Sequence, residues 1–330
     1  MGTSKTLTVN GAGAFTVTSL GAGATAGTVT EGSTHTGALT VTTSGTVANA
    51  VTEVAGTNAG NIGAVTVNVV GTGLTTWTAL ANHASHTATM GAGTSLTVAT
   101  ASTATAYGVT ITGNSTHVYI GDTDTAAVDT VTATNATGNV TIQGGFGLDV
   151  ITLGGAVDVV NFEAGVKVVA DRDTVAAFTT TSDKIALSAT NTTINTAAGA
   201  ATVVDTSTTA AAAGGGAYAL TTASSTTKDV IILNVAAAST ANGDLSTATD
   251  GTQLLKALTS TAADDTYTGI TTSAGTAEKC YFIANQGGKA YLYYADSAAT
   301  TAGLFEPADI LLIGTFTGTI ASTDFAVMLT

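Results

Sequence analysis

Apolar and hydroxyl-bearing side chains alternate through the first third of this chain. Leu7-Thr8-Val9-Asn10, Phe15-Thr16-Val17-Thr18, Ala38-Leu39-Thr40-Val41-Thr42, Ala64-Val65-Thr66-Val67-Asn68-Val69-Val70 and Ser95-Leu96-Thr97-Val98 are short runs with this pattern, divided by Gly, Ser and Asn. A period of two puts one set of side chains on a dry face and the other on a wetter face, which predicts β-strands. Branching at Cβ in Thr and Val favours the same extended backbone. The turn residues arrive at unequal intervals. Residues 1–115 are therefore expected to form a β-sandwich or an irregular parallel β-helix. The solenoid is preferred because it would run straight into the segment that follows.

The pattern changes towards the C-terminus. Residues 191–218 are nearly all Thr, Ala, Gly and Asn, and read as a low-complexity loop or a thin pair of strands. Val230-Ile231-Ile232-Leu233-Asn234-Val235 reads as a buried strand, and Asp250-Gly251 opens a segment that puts Leu254, Leu255 and Leu258 on one helical face. Lys279-Cys280-Tyr281-Phe282-Ile283-Ala284 and Lys289-Ala290-Tyr291-Leu292-Tyr293-Tyr294 flank Asn285-Gln286-Gly287-Gly288, a hairpin whose tyrosines are expected to pack in a core. Ile310-Leu311-Leu312-Ile313 starts another core strand. The expected class is all-β, with three domains: 1–115, 116–190, and a C-terminal β domain with one short helix over 191–330.

Composition narrows the picture. Only 9% of the 330 residues are charged, against 44% hydrophobic, with 39 glycines and a single proline, Pro307. Disordered chains are poor in β-branched residues, so this is a folded composition. A Thr-rich surface with few lysines and glutamates loses little side-chain entropy or charge solvation on burial, which favours packing against copies of itself. The net charge of −14 excludes nucleic acid as a partner and suits divalent cations. Cys280 is the one cysteine, so no intrachain disulfide forms, and it reads as a small buried hydrophobe.

The most informative motif is the stretch 144–162, GGFGLDVITLGGAVDVVNF, in which two Gly-rich turns each end in an aspartate, Asp149 and Asp158, followed by strand formers. Upstream, Asp129-Thr130-Val131-Thr132 and Asn139-Val140-Thr141-Ile142 repeat the pattern, so positions 129, 139, 149 and 158 are spaced by 10, 10 and 9 residues. In a two-sided roll, alternate copies stack. This puts Asp129 above Asp149 on one edge and Asn139 above Asp158 on the other. Glycine permits positive φ in such turns, and the aspartate supplies the one full negative charge each turn offers a hard cation.

Residues 144–152 resemble the GGxGxDxUx unit of the RTX (repeats-in-toxin) family, and 153–161 resemble a degraded copy in which Ala156 and Val157 depart from the pattern. Downstream, Asp173-Thr174-Val175-Ala176-Ala177-Phe178 and Ser182-Asp183-Lys184-Ile185-Ala186-Leu187-Ser188 are similar to the segment that closes an RTX roll, with Ala177 and Ala186 where the family places acids. The resemblance implies a calcium-binding parallel β-roll over 116–190. Its expected ligands are Asp149, Asp158, Asp129, Asn139, Asp173 and Asp183, with the backbone of Gly144, Gly145 and Gly147.

The tail, Asp324-Phe325-Ala326-Val327-Met328-Leu329-Thr330, resembles the uncleaved C-terminal export signal of type I secreted RTX proteins; otherwise it reads as a final strand. The N-terminus lacks the pattern of a cleaved signal peptide. His83 and His86, three residues apart in a segment read as a loop or a single helical turn, have no other ligand nearby in sequence. They are expected to be ordinary loop histidines, and the sequence assigns no role to His35 or His117. No HExxH, GxSxG, phosphate-binding loop or dinucleotide fingerprint occurs, and no enzymatic role is expected.

The expected function is that of a self-assembling structural protein of the bacterial cell surface, exported and calcium-dependent, and similar to RTX-containing surface-layer proteins. Its partners would be copies of itself, with an outer-membrane component or cell-surface glycan as anchor. An adhesin or matrix protein is the alternative. Ice binding is a third reading, from the Thr-x-Thr triplets at 16–18, 28–30 and 40–42.

Overall fold

In the computed structural model the described residues are 5–23, 25–53, 63–79, 83–91, 95–100, 106–121, 128–162, 172–189, 199–200, 203–205, 218–219, 229–235, 243–259, 270–271, 279–296 and 304–328. The protein is all-β, with a parallel stacked solenoid of about six turns. It divides into two compact units, Met1–Asn161 and Phe162–Thr330.

The first unit follows directly from the period-two pattern. Its strands are β1 (Lys5–Val9), β2 (Phe15–Leu20), β3 (Gly27–Glu31), β4 (Leu39–Thr43), β5 (Asn49–Thr52), β6 (Val65–Val69), β7 (Thr75–Ala79), β8 (His86–Met90), β9 (Ser95–Thr100), β10 (Tyr107–Gly113), β11 (His117–Ile120), β12 (Thr130–Ala136), β13 (Val140–Gln143), β14 (Val150–Thr152) and β15 (Val159–Phe162). Odd-numbered strands pair in parallel in one sheet, and even-numbered strands in another. Each run therefore pairs with the next run but one.

Apolar side chains stack inward in register, as in Val41, Val67, Ala88, Val109, Val131 and Ile151, all at most 1% exposed. The spacing between stacked residues varies. Leu39 pairs with Val65, 26 residues on, whereas Thr141 pairs with Val159, 18 residues on. Strands hold the register while turns change length, which is why the turn intervals look irregular in sequence.

In the second unit, β16 (Asp173–Ala176), β17 (Lys184–Leu187), β18 (Val230–Asn234), β19 (Lys279–Gln286), β20 (Lys289–Asp296) and β21 (Ile310–Thr317) are the longer strands. Five of them lie in the order β18-β19-β20-β21-β16. β19 and β20 form the predicted hairpin. Its turn is Gly287-Gly288, both at positive φ, as the primed two-residue turn requires.

The helix α1 (Thr252–Thr259) buries Leu254 and Leu255 against Ile231, Leu233, Phe282, Tyr293 and Leu312. Cys280 is buried in the same core. The side chain of Leu258, most of the 191–218 segment, and Leu329 and Thr330 lie outside the described residues. Phe325 bridges Ile185 in parallel, and Val327–Met328 pairs with Gly199–Ala200, so the tail adds strands to this unit.

Candidate functional site

The parallel pairing of β12 with β14 matches Thr130 to Val150, which brings Asp129 beside Asp149. Asp149 Oδ1 accepts the Asp129 N–H at 2.8 Å. Asp129 Oδ1 in turn accepts the Tyr107 N–H at 2.9 Å, and its Oδ2 accepts the Tyr119 hydroxyl at 3.2 Å. Each buried carboxylate thus holds the backbone of the preceding coil. Asp158 does the same on the other sheet, taking the Val140 N–H on Oδ1 and the Gly154 N–H on Oδ2, both at 2.9 Å. Pairing of Thr141 with Val159 places Val140 rather than Asn139 opposite Asp158. Asn139 is exposed, and its carbonyl accepts from the His117 N–H.

The turn glycines serve this ladder. Gly145 and Gly147 have φ of 100° and 135°, and a Cβ at Gly144 would lie 2.5 Å from Asp149 Oδ2. Asp173 is buried at the start of β16, paired with Gly314. Asp183 closes a turn through the Thr179 N–H at 2.7 Å. Ala177 and Thr181 in that turn adopt left-handed backbone, with φ of 62° and 71°. The buried Asp324 steadies it, accepting the Thr180 hydroxyl at 2.6 Å and the Thr181 N–H at 2.7 Å.

A calcium shell is built from six to eight oxygen lone pairs. Both oxygens of Asp129 and of Asp158 instead face N–H or O–H donors, an arrangement that suits an anion's own solvation. Among the described residues, no group of three or more His, Cys, Asp or Glu is arranged to hold a metal ion.

A second buried polar cluster went unseen in the sequence. Glu31 at the end of β3 sets Oε1 2.7 Å from His35 Nδ1 and Oε2 2.8 Å from His83 Nε2. Glu53 accepts the Trp77 indole N–H on Oε1 at 2.8 Å, while its Oε2 lies 3.1 Å from His86 Nε2 and 3.5 Å from His83 Nε2. All six of these side chains are buried. His83 and His86 are therefore core residues, not loop histidines. His86 opens β8 with its side chain inward, and its ring lies 5.6 Å from Trp77 and 5.4 Å from Tyr107. The available signal was spacing: Glu31 and Glu53 are 22 residues apart, one coil of the first sheet.

His83 Nδ1 also lies 2.8 Å from the Gly63 carbonyl oxygen. Both of its ring nitrogens face acceptors, and a neutral imidazole donates from only one. The geometry calls for the imidazolium. Burial lowers the His83 pKa, but the Glu31 hydrogen bond, the Glu53 charge and the Gly63 carbonyl together raise it above the ordinary value. Nitrogens that donate N–H have no lone pair for a metal. The arrangement works as an ion-paired brace across coils.

The outer surface is the third feature. Residues 1–161 contain seven acids and one basic residue, Lys5. Glu31, Glu53, Asp129, Asp149 and Asp158 are buried, and Asp122 and Asp124 lie outside the described residues. Apart from Lys5, the described exterior of this unit carries no charged side chain. Neutral polar groups, nearly all hydroxyls, line up on it instead. Thr42, Asn68, Thr89, Thr110, Thr132 and Thr152 form one in-register column over six coils, with Thr16, Thr40, Thr66 and Thr87 beside it.

No family model matches this chain, and no similar curated protein or solved structure is found.

Proposed function

We propose that the protein is a structural, self-assembling component of a bacterial cell surface, related to the RTX-containing surface-layer proteins. The observation that carries this is the inverted placement of charge. Globular domains keep acids and lysines outside, where net charge and its solvation oppose association. Here the described part of the solenoid buries its acids and presents neutral hydroxyl columns. Among the described residues, all eight of the large exposed apolar side chains, Leu7, Phe15, Leu74 and Val150 among them, lie in the same unit. Two such surfaces meet without stripping water from ions, and their hydroxyls can bond to one another.

Calcium enters this reading chiefly through the Gly-rich turn at 144–149, which carries Asp149, and no catalysis belongs to it. Electron microscopy of the purified protein is the test. Ordered sheets or filaments support the proposal, and a monodisperse particle at all concentrations overturns it. Chelator that leaves the assemblies intact removes calcium from the account.

The hydroxyl columns favour a second reading, ice binding. Coils stack about 4.7–4.9 Å apart, so the Thr side chains form a regular grid able to order water. Thermal hysteresis in dilute solution distinguishes the two. A freezing point depressed below the melting point supports ice binding, and its absence excludes it.

A further inference from the structure

The second unit has a cleft of roughly 200 Å³ on the face of its sheet. Strand register builds it. Tyr291 pairs with Thr315 and Lys289 with Thr317 across β20 and β21, and Thr315 pairs with Thr174 on β16. Residues two apart on a strand share a face, so these side chains lie together, with Arg172 two residues before Thr174. One wall is the short turn Leu245–Thr247, which contributes Ser246 and is pinned by the Leu245 N–H donating to Gln286 Oε1 at 3.0 Å.

Two of the chain's eight basic residues line this cleft, in a protein of net charge −14. Arg172 is half-buried and makes no hydrogen bond or ion pair with the described residues. A guanidinium is a planar fork of donors suited to a carboxylate. Around it are the hydroxyls of three threonines and a serine, with the Tyr291 ring buried among them. Cation and hydroxyls together match the carboxylate and hydroxyls of an acidic sugar.

We propose that this cleft binds a carboxylate-bearing saccharide unit, and that it anchors the protein to acidic glycan. The anchoring role rests on the surface-protein reading above, but the binding itself does not. Arg172 takes the carboxylate, Lys289 adds charge, and the threonines take ring hydroxyls. Asp244 caps the wall turn through the Ser246 N–H and sits close enough to Lys289 for their charges to interact, so it opposes an incoming anion.

The test is calorimetric titration of the full chain with trigalacturonate, neutral galactotriose and inorganic sulfate. Trigalacturonate alone should bind. Arg172→Gln should weaken it about tenfold or more, the scale of one lost charge-assisted contact. Asp244→Asn keeps the cap and should tighten binding about two- to threefold, a gain that a merely structural role would not give. Equal binding of galactotriose or of sulfate, or indifference to Arg172→Gln, overturns the proposal. Saccharide binding without assemblies in the microscope would sink the surface-protein reading and leave the cleft standing. Assemblies without binding would do the reverse.

Discussion

His83 Nε2 lies 2.8 Å from Glu31 Oε2 across 52 residues of sequence, and both side chains are buried. The contact ties the end of β3 to the residues leading into β8, and Gly63 holds the other ring nitrogen. Three coils thus meet at one ring, with Glu53 and His86 beside it and His35 on the other oxygen of Glu31.

The first prediction is a pH dependence. The folded pKa of His83 lies above its ordinary value of 6.5. Its contribution to stability is then complete below 6.5 and is lost as pH rises through the folded pKa. The fluorescence melting midpoint of Trp77, the chain's only tryptophan, should fall between neutral and alkaline pH. His83→Gln should flatten that slope. An unchanged slope in the variant would show that the brace is not held by charge.

Glu31→Ala removes the carboxylate between two imidazoles. Breaking a buried pair from one side costs about 3–5 kcal/mol. Urea unfolding followed at Trp77 should show a loss on that scale, with Glu31→Gln milder. A loss under 1 kcal/mol would mean water replaces the carboxylate at little cost.

At Asp149 the ladder and calcium give opposite expectations. Asp149→Ala leaves the buried Asp129 N–H without its acceptor, at about 1–3 kcal/mol. Asp149→Asn keeps an acceptor oxygen and should restore most of that stability. If the melting midpoint of the native protein rises with calcium and Asp149→Asn abolishes the rise, the turn binds the ion. If neither protein responds, the hydrogen-bonded ladder is the whole role.

Thr89→Lys and Thr132→Lys place charge in the middle of a neutral column. Both positions are half-buried and lie on the outer face, where substitutions change stability by about 0.5 kcal/mol or less. Both should leave the melting midpoint unchanged while abolishing the assemblies. Lattices that tolerate the double variant would show that this face is not the contact.

Asp324→Ala withdraws the acceptor from the Thr180 hydroxyl and the Thr181 N–H. Hydrogen bonds to a charged group are worth about 1.5–3 kcal/mol. The strand at 327–328 should then exchange its amide hydrogens faster than in the native protein. Unchanged exchange would show that pairing of Ala326 with Ile185 suffices to dock the tail.

The strands were legible because period-two alternation is a local property. The hairpin at Gly287-Gly288 and the helix with Leu254 and Leu255 were legible for the same reason. Alternate-copy stacking placed Asp129 beside Asp149 correctly, but a turn of different length moved Asn139 one residue away from Asp158. The histidine cluster was hidden. Glu31, Glu53 and His83 meet only once coil length is known, and coils of 18 to 26 residues cannot be phased from sequence. The acids of the Gly-rich turns were noticed for their charge, whereas the structure also gives them backbone N–H groups to hold, a use that leaves no mark in composition.

The inward placement of charge in residues 1–161 also bears on ionic strength. Salt screens charges that solvent can reach, with a Debye length of about 8 Å at physiological strength. The described exterior of the solenoid offers such ions only Lys5 to screen. Contacts made through its hydroxyl columns should therefore keep the same strength in fresh water and in brine, a tolerance that a lattice held by surface ion pairs would lack.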